Sequence, residues 1–392
     1  MSAPLLLTFN AGSATVKIGL FAWEAHRPQR IGTAMIDLGL HPPRLVLNGI
    51  GQAEIRLSAS PGEDLPELLE EAMRHVGEHL PLGGLAAVGH RVVHGGDRFA
   101  GPVRLNDAAL AAVEALTPLA PLHQPRCIRL VRAIRHLHPR LPQTASFDTA
   151  FHRTQSDLVR RFALPRALEA EGIRRYGFHG LSYRFVAREL RQLAPDIAEG
   201  RVVVAHLGSG ASLCALQGGL SRDTSMGFST LDGVPMSTRC GALDPGVVLH
   251  LLTQRGLSPQ AVERMLYHES GLLGVSGISG DSRELLASPA PEARMALELF
   301  CFRIAREVAA LANTIGGLDA LVFTAGVGQH QPPVRARVCE HLGWLGLRLD
   351  AAANAASAPR LETADSRVAV LVVPTDEEQV IADEAFEVLA AG

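Results

Sequence analysis

Residues 5–21 read LLLTFNAGSATVKIGLF. Residues 5–9 are an apolar run of strand length, residues 10–15 a turn of small residues, and residues 16–21 a second strand. This pattern predicts a β-hairpin whose turn can bring backbone N–H groups and small hydroxyls close to an anion. Alternation places Lys17 on the opposite face from Val16, Ile18 and Leu20. Of the 37 Lys and Arg residues only Lys17 is lysine, so 36 are arginine. A chain that uses arginine at every other basic position has a use for an ammonium here, because a compact point charge does not substitute for a planar guanidinium. An ordinary hairpin carrying one surface lysine fits this stretch equally well.

A second stretch changes the balance. Residues 201–217 read RVVVAHLGSGASLCALQ, again strand, glycine–serine turn and strand. Setting Asn10 on His206 places Gly12 on Gly208 and Ser13 on Ser209, an offset of 196, half of the 392 residues. Two such hairpins half a chain apart predict two related lobes. A third apolar strand, residues 320–324, runs into Ala325-Gly326-Val327-Gly328. Glycine-rich turns of two lobes facing one cleft would make a nucleotide-phosphate site without a P-loop.

The length favours two domains. A net charge of −3 and the absence of any basic run give no footprint for nucleic acid or acidic membranes. No apolar run reaches transmembrane length, and Met1-Ser2-Ala3-Pro4 lacks the basic region of a signal peptide, so a cytoplasmic location is expected. The five cysteines are scattered without a CxxC pair and read as reduced core residues.

Along the chain, short strands are expected over residues 31–57 and a helix over 65–80. The run AAVGHRVVHGGD, residues 86–97, reads as a strand ending in a glycine pair. His90 and His94 lack the glutamate and the helical setting of a zinc motif. Arg91, among apolar residues, needs an anion, either a ligand or a protein carboxylate. His123 lies in a loop between Pro121 and Pro125, and Asp148 ends a strand at 143–147, where metal-bound phosphate or a helix cap are both at home. Residues 174–180, RRYGFHG, form a glycine-bracketed turn, and residues 223–246 a long, barely charged loop around Arg239. A helix over 298–315 presents Leu297, Cys301, Ile304, Val308, Leu311 and Ile315 on one face, to a core or a subunit interface. Glu377 and Glu378 open the last helix, a capping pattern in its own right.

The stretches FNAGSATVK, GHRVVHGG, PLHQP, FDTAFH, RRYGFHG, HLGSGAS, STRCGALDPG, SGDSRE, FTAGVG and PTDEE run in order from residue 9 to 378. Together they resemble the acetokinase family, which includes acetate and propionate kinases. The resemblance implies an α/β chain of two ribonuclease-H-like lobes, the duplicated actin-like ATPase fold, around an ATP cleft. The expected division is residues 1–149 with about 375–392 against 150–374, the latter carrying a homodimer interface. The implied activity is reversible phosphoryl transfer from ATP to the carboxylate of acetate, giving acetyl phosphate and ADP. The implied metal is Mg²⁺, with Mn²⁺ as alternative.

The resemblance also implies roles. Asn10, Ser13, Thr15 and Lys17 would lie at the phosphate hairpin, and His206, Gly208, Ser209 and Gly210 at the ATP phosphates. Arg91, His123, His179 and Arg239 would surround the transferring group, with Asn10 and Asp148 beside them. Asp148 and Glu377, with Asn10, would hold the metal directly or through water. Asp281, Ser282, Arg283, Gly326, Val327, Gly328 and His330 would border adenosine, and Val93, Leu122 and Phe178, with Arg91, the acyl group. The family pattern is departed from at Leu181, Tyr183, Ser209, Thr230, Ser282, Gln329, His330 and Asp376; histidine is usual at 183. These departures bear on nucleoside choice and acyl size more than on the reaction. A propionate-preferring kinase is the nearest alternative, and a non-enzymatic nucleotide switch a more distant one.

The chemistry agrees with the resemblance. A short carboxylic acid is ionised at neutral pH, so the acceptor needs no general base, and the chain has no Walker A, HRD or GxSxG motif. The reaction needs anion–anion repulsion relieved, which arginines, imidazoles and a divalent cation supply.

Overall fold

The computed structural model describes residues 4–12, 15–24, 26–51, 53–58, 65–80 and 82–390. The chain divides into two compact units, Met1–Phe151 with Asp376–Gly392, and His152–Thr375.

The first unit is built on β1 (Leu5–Ala11), β2 (Thr15–Ala22), β3 (Gln29–Asp37), β4 (Arg44–Asn48), β5 (Ala53–Arg56), β6 (Leu85–Val92), β7 (Val103–Arg104) and β8 (Gln143–Phe147). The sheet order is β5-β4-β3-β2-β1-β6-β8-β7. β1 to β5 form an antiparallel meander, whereas β6 runs parallel to β1 and β8 parallel to β6. Every residue of β1 is buried, Thr8 and Asn10 included, as expected of a mostly apolar central strand covered on both faces. On one face Leu7, Phe9, Val16, Ile18 and Leu20 pack with Leu68, Leu69 and Val76 of the helix Leu65–His79 and with Leu130 and Ile134 of the helix Gln124–Leu137. On the other, Leu6, Phe21 and Ala87 meet Ala382 and Ala385 of the helix Glu377–Ala390. Gly89 lets that helix approach, since a Cβ there would stand 2.7 Å from the Ile381 side chain.

The second unit holds β9 (Arg201–Leu207), β10 (Ala211–Gln217), β11 (Leu220–Thr224), β12 (Ala320–Thr324) and β13 (Ala369–Val372) in the order β11-β10-β9-β12-β13. β9, β10 and β11 are antiparallel, and β12 runs parallel to both β9 and β13. That connectivity repeats β3-β2-β1-β6-β8 strand for strand, so both units are ribonuclease-H-like lobes. The helix Pro291–Thr314 packs on β9 and β10. Leu297, Cys301, Ile304, Val308, Leu311 and Ile315 are all buried, so its apolar stripe serves the core. The helix starts earlier than its periodicity suggests, because Pro291 sits where a missing N–H costs nothing.

The repeat holds in detail with one difference. β9 and β10 begin at Arg201 and Ala211, each 196 residues after the starts of β1 and β2, Leu5 and Thr15. The turns close differently: Gly12 N–H donates to the Thr15 carbonyl at 2.8 Å, Gly208 N–H to the Gly210 carbonyl at 3.0 Å. The second turn is one residue tighter, so Asn10 stands opposite Lys17 whereas His206 stands opposite Ser212.

Candidate active site

In the first unit the parallel strands deliver their chemistry at their carboxyl ends, where open α/β sheets place ligand sites. Asn10 lies near the end of β1, Arg91 near the end of β6, and Asp148 follows β8. The Arg91 guanidinium grips Asp148 with both arms, Nε to Oδ1 at 2.9 Å and Nη2 to Oδ2 at 2.6 Å. Its Nη1 donates to Asn10 Oδ1 at 3.2 Å and to the Ala11 carbonyl at 3.1 Å. Asn10 Nδ2 in turn donates to Glu377 Oε2 and Glu378 Oε1, both at 2.8 Å. Of the two anions open to Arg91 from sequence, the one seen here is a protein carboxylate. Burial opposes the guanidinium charge, but Asp148, with Glu377 behind it, raises the Arg91 pKa above its ordinary value.

Glu377 also departs from a plain capping role. Asp376 Oδ1 accepts from the Gln379 N–H at 3.0 Å and is itself paired with Arg30, which leaves the Glu377 carboxylate to Asn10. Lys17 is exposed on β2, on the face covered by the helix Glu377–Ala390. Burial pushes the Glu378 carboxyl above its usual range, opposed by the nearby Lys17 ammonium and reinforced by Glu377. Thr15 opens β2 half-buried, while Ser13 lies outside the described residues. Val93 is buried just after β6, and Leu122 and His123 are half-buried before the helix Gln124–Leu137.

Among the described residues no group of three or more His, Cys, Asp or Glu is arranged to hold a metal. Carboxylate and amide oxygens from Asp148, Glu377 and Asn10 still suit a hard divalent cation, which takes one or two carboxylates and completes its shell from water and phosphate. Two carboxylates converging on one amide also leave negative charge for a cation to balance. His90 and His94 are core residues: burial lowers both to about 4, and His90 Nε2 pairs with Gln143 at 2.7 Å.

In the second unit the turn before the helix Gly180–Leu193 sets His179 in a left-handed conformation, φ 57°. Its Nδ1 lies 2.8 Å from Ser212 Oγ, and its ring stacks on His206 at 4.4 Å and 16°. His206 Nδ1 lies 2.8 Å from Ser182 Oγ. An ideal Cβ position on Gly210 lies 3.6 Å from His179 Nε2 and 3.7 Å from Arg239 Nη2, so both groups border this glycine. Arg239 extends from the irregular loop between β11 and the helix Pro245–Thr253, with Nη1 donating to the Thr230 carbonyl at 3.0 Å. Phe178 is buried, and its carbonyl lies 2.9 Å from His152 Nε2.

A cavity of about 470 Å³ lies in the same unit, lined among others by Gly208, Ser209, Asp281, Ser282, Arg283, Gly326, Val327 and His330. A Cβ on Gly326 would meet nothing within 4 Å, whereas Arg283 is folded back on Asp281 with Nη2 to Oδ2 at 2.6 Å. Ser282 Oγ accepts from Gln331 Nε2 at 2.7 Å. The expected glycine turn is a short helix, Ala325–His330, and Gly328 does not line the cavity. It is buried against β12 and β9, where a Cβ would stand 3.4 Å from the Phe323 carbonyl carbon and 3.7 Å from the Ala205 oxygen.

Sequence reading missed Arg335. This arginine is fully buried, donating to the Gly328 and Gln329 carbonyls at 2.8 Å and to Asn354 and Ser357. It tethers the end of the helix bordering the cavity, and nothing in RARVCEH marks it off from Arg337 beside it. Ser182 and Ser212 were also missed, being small residues among other small residues.

A sequence profile of the acetokinase family matches residues 5–383. The acetate kinase of Rhodopseudomonas palustris strain CGA009 is 46% identical over 396 residues, covering 99% of each chain. The acetate kinase of Nitrobacter hamburgensis is 44% identical, covering 98% of this chain and 96% of its own. Among solved structures, a propionate kinase from Francisella tularensis superposes with TM-score 0.89 at 34% identity, covering 97% of this chain and 98% of its own. The Porphyromonas gingivalis acetate kinase gives TM-score 0.87 at 35% identity, covering 99% of this chain and all of its own. With a family profile spanning nearly its whole length and relatives alike from end to end, this chain belongs to the acetokinase family.

Proposed function

We propose that the protein is an acetate kinase, moving the γ-phosphoryl group of ATP to the acetate carboxylate and back, with Mg²⁺ as the metal. The observation that carries this reading is the end-to-end likeness to acetate kinases, at 46% identity over 99% of both chains. The site chemistry supports it. Acetate arrives already ionised, so the protein has no proton to remove and must instead bring two anions together. Arg91 and Arg239 counter that repulsion, and His123 and His179 donate hydrogen bonds to the oxygens of the group in transfer. Val93, Leu122 and Phe178 wall the methyl group, and the cavity beside Gly326 takes adenosine. Mg²⁺, held by Asp148 and Glu377 directly or through water with Asn10 beside them, would neutralise phosphate charge.

The protein works as a homodimer in the cytoplasm. Supporting the dimer, Leu243, Val247, Leu249, Val275, Ile278, Met295 and Phe302 of the second unit are all more than 40% exposed, a cost that a second copy would remove. Supporting the location, the described cysteines are all free thiols, and no described helix is long and apolar enough to cross a membrane.

Hydroxylamine trapping of acyl phosphate, with ATP, Mg²⁺ and acetate, propionate or butyrate, tests the reading. The highest kcat/KM is expected with acetate. A clear preference for propionate would move the assignment to propionate kinase, and inactivity with all three would overturn it.

A further inference from the structure

Ser212, on β10, is fully buried, with its Oγ 2.8 Å from His179 Nδ1 and 2.5 Å from Tyr183 Oη. Among the described residues Ser212 Oγ has no third hydrogen-bond partner. A serine hydroxyl carries one proton, and a buried one has to be given to an acceptor. The choice is between the imidazole nitrogen and the phenol oxygen. A phenol is far more acidic than an aliphatic alcohol, and its oxygen lone pair is drawn into the ring, so it donates better than it accepts. Tyr183 therefore donates to Ser212, and Ser212 turns its own proton onto His179 Nδ1. With Nδ1 accepting, the ring proton resides on Nε2, the nitrogen that borders Gly210.

The stacked partner is held in the same way. Ser182 Oγ is fully buried in the first turn of the helix Gly180–Leu193. His206 Nδ1, at 2.8 Å, is its one hydrogen-bond partner among the described residues. Its proton goes to that nitrogen, which leaves His206 as the Nε2–H form. Two serines thus set two stacked imidazoles, and for His179 the serine is itself set by a tyrosine, where the family's usual residue is histidine.

We propose that Tyr183 and Ser212 are positioning residues that fix His179 as an Nε2–H donor for the transferring phosphoryl group, as Ser182 fixes His206. The direction of the relay stands on these distances and on the acidity of the phenol, while its use in transfer rests on the role of His179 proposed above. A hydroxyl chain of this kind lets the imidazole donate without first being protonated, and it fixes the ring plane through two buried elements.

Long-range ¹H–¹⁵N spectra of the full-length protein read the tautomers directly, with the two rings assigned by loss of signal in His179→Gln and His206→Gln. The expected result is a protonated Nε2 and an unprotonated, hydrogen-bonded Nδ1 on both. Tyr183→Phe keeps the ring and removes the donor, and should shift His179 towards Nδ1–H. It should also lower kcat about 10- to 100-fold, the scale on which removing a group that orients a working side chain acts, with KM for ATP and acetate little changed. Ser212→Ala should do the same, and Ser212→Thr should restore both readouts, which covers the case in which Tyr183→Phe fails to fold. A wild-type His179 protonated on Nδ1 overturns the proposal. So does a fall in kcat in Tyr183→Phe and Ser212→Ala without any change of tautomer, since these residues would then be merely structural. Correct tautomers in a protein that phosphorylates no carboxylate would uphold the relay and overturn the assigned reaction instead.

Discussion

At the scale of single residues, the two arginines differ in what their removal exposes. Arg91 satisfies both oxygens of Asp148, a carboxylate only 1% exposed. Arg91→Ala therefore strands a buried charge, which costs about 3–5 kcal/mol of stability. Arg239 Nη1 donates to the Thr230 carbonyl and to Met236 Sδ, and losing either strands no carboxylate, so Arg239→Ala is the cleaner probe of chemistry. Each variant should lose at least about a hundredfold in kcat, the scale for one charge-stabilising donor, and lysine at either position should rescue poorly because the fork is lost. Near-normal kcat in Arg239→Ala would remove this residue from the mechanism. Lys17→Arg should fold normally and lose activity, because a bulky planar fork replaces a compact ammonium beside Glu378. Lys17 is the one lysine of the chain, so an amine-reactive reagent has only it and the N-terminus to attack. Protection of the side chain by ATP–Mg²⁺ would place it near nucleotide, and indifference would leave it a surface residue.

At the scale of elements, each lobe stands on a helix packed against an almost wholly apolar sheet. Ile304 is fully buried in the helix Pro291–Thr314 against β9 and β10, so Ile304→Ala should cost about 2–5 kcal/mol in denaturant unfolding. A loss below about 1 kcal/mol would mean that the site can collapse around the smaller side chain. The hairpins show how one residue of turn length acts on function. The longer turn sets Lys17 opposite Asn10, and the tighter one sets Ser212 opposite His206, within reach of His179.

At the scale of the whole molecule, three neutral histidines make stability depend on pH. Burial lowers His90, His94 and His152 from 6.5 to about 4. Below the unfolded value the unfolded chain takes up protons that the folded chain refuses. Their contribution is therefore complete above pH 6.5 and is lost as pH falls towards 4, at up to about 1.4 kcal/mol per pH unit for each histidine. Urea midpoints between pH 7 and 4.5 should fall accordingly, and a flat profile would contradict these burials. Leu249, 60% exposed, is the residue whose change should weaken the proposed dimer. Leu249→Asp should elute as a monomer in size-exclusion chromatography, and an unchanged elution volume would place the interface elsewhere.

The sequence by itself determined what repeats and what is locally periodic. The apolar runs, the small-residue turns, the 196-residue offset and the motif order were all legible, because strand burial and turn chemistry are written in consecutive residues. The partners were not. Arg91 could have met a ligand or a protein carboxylate until β6 and β8 were laid side by side, bringing Asp148 to it across 57 positions. Asn10 reaches Glu377 across 367 positions, because the C-terminal helix returns to cover β1. Gly328 looked like part of a phosphate turn and proved to be helix packed on β12 and β9. Nothing in the sequence around Arg335 marks it, and its burial is decided only where Gly328, Asn354 and Ser357 close around it. A pattern of burial is a property of a segment, whereas the partner of a charge or hydroxyl depends on which strand ends the sheet order makes neighbours, and that is fixed only when the chain is folded.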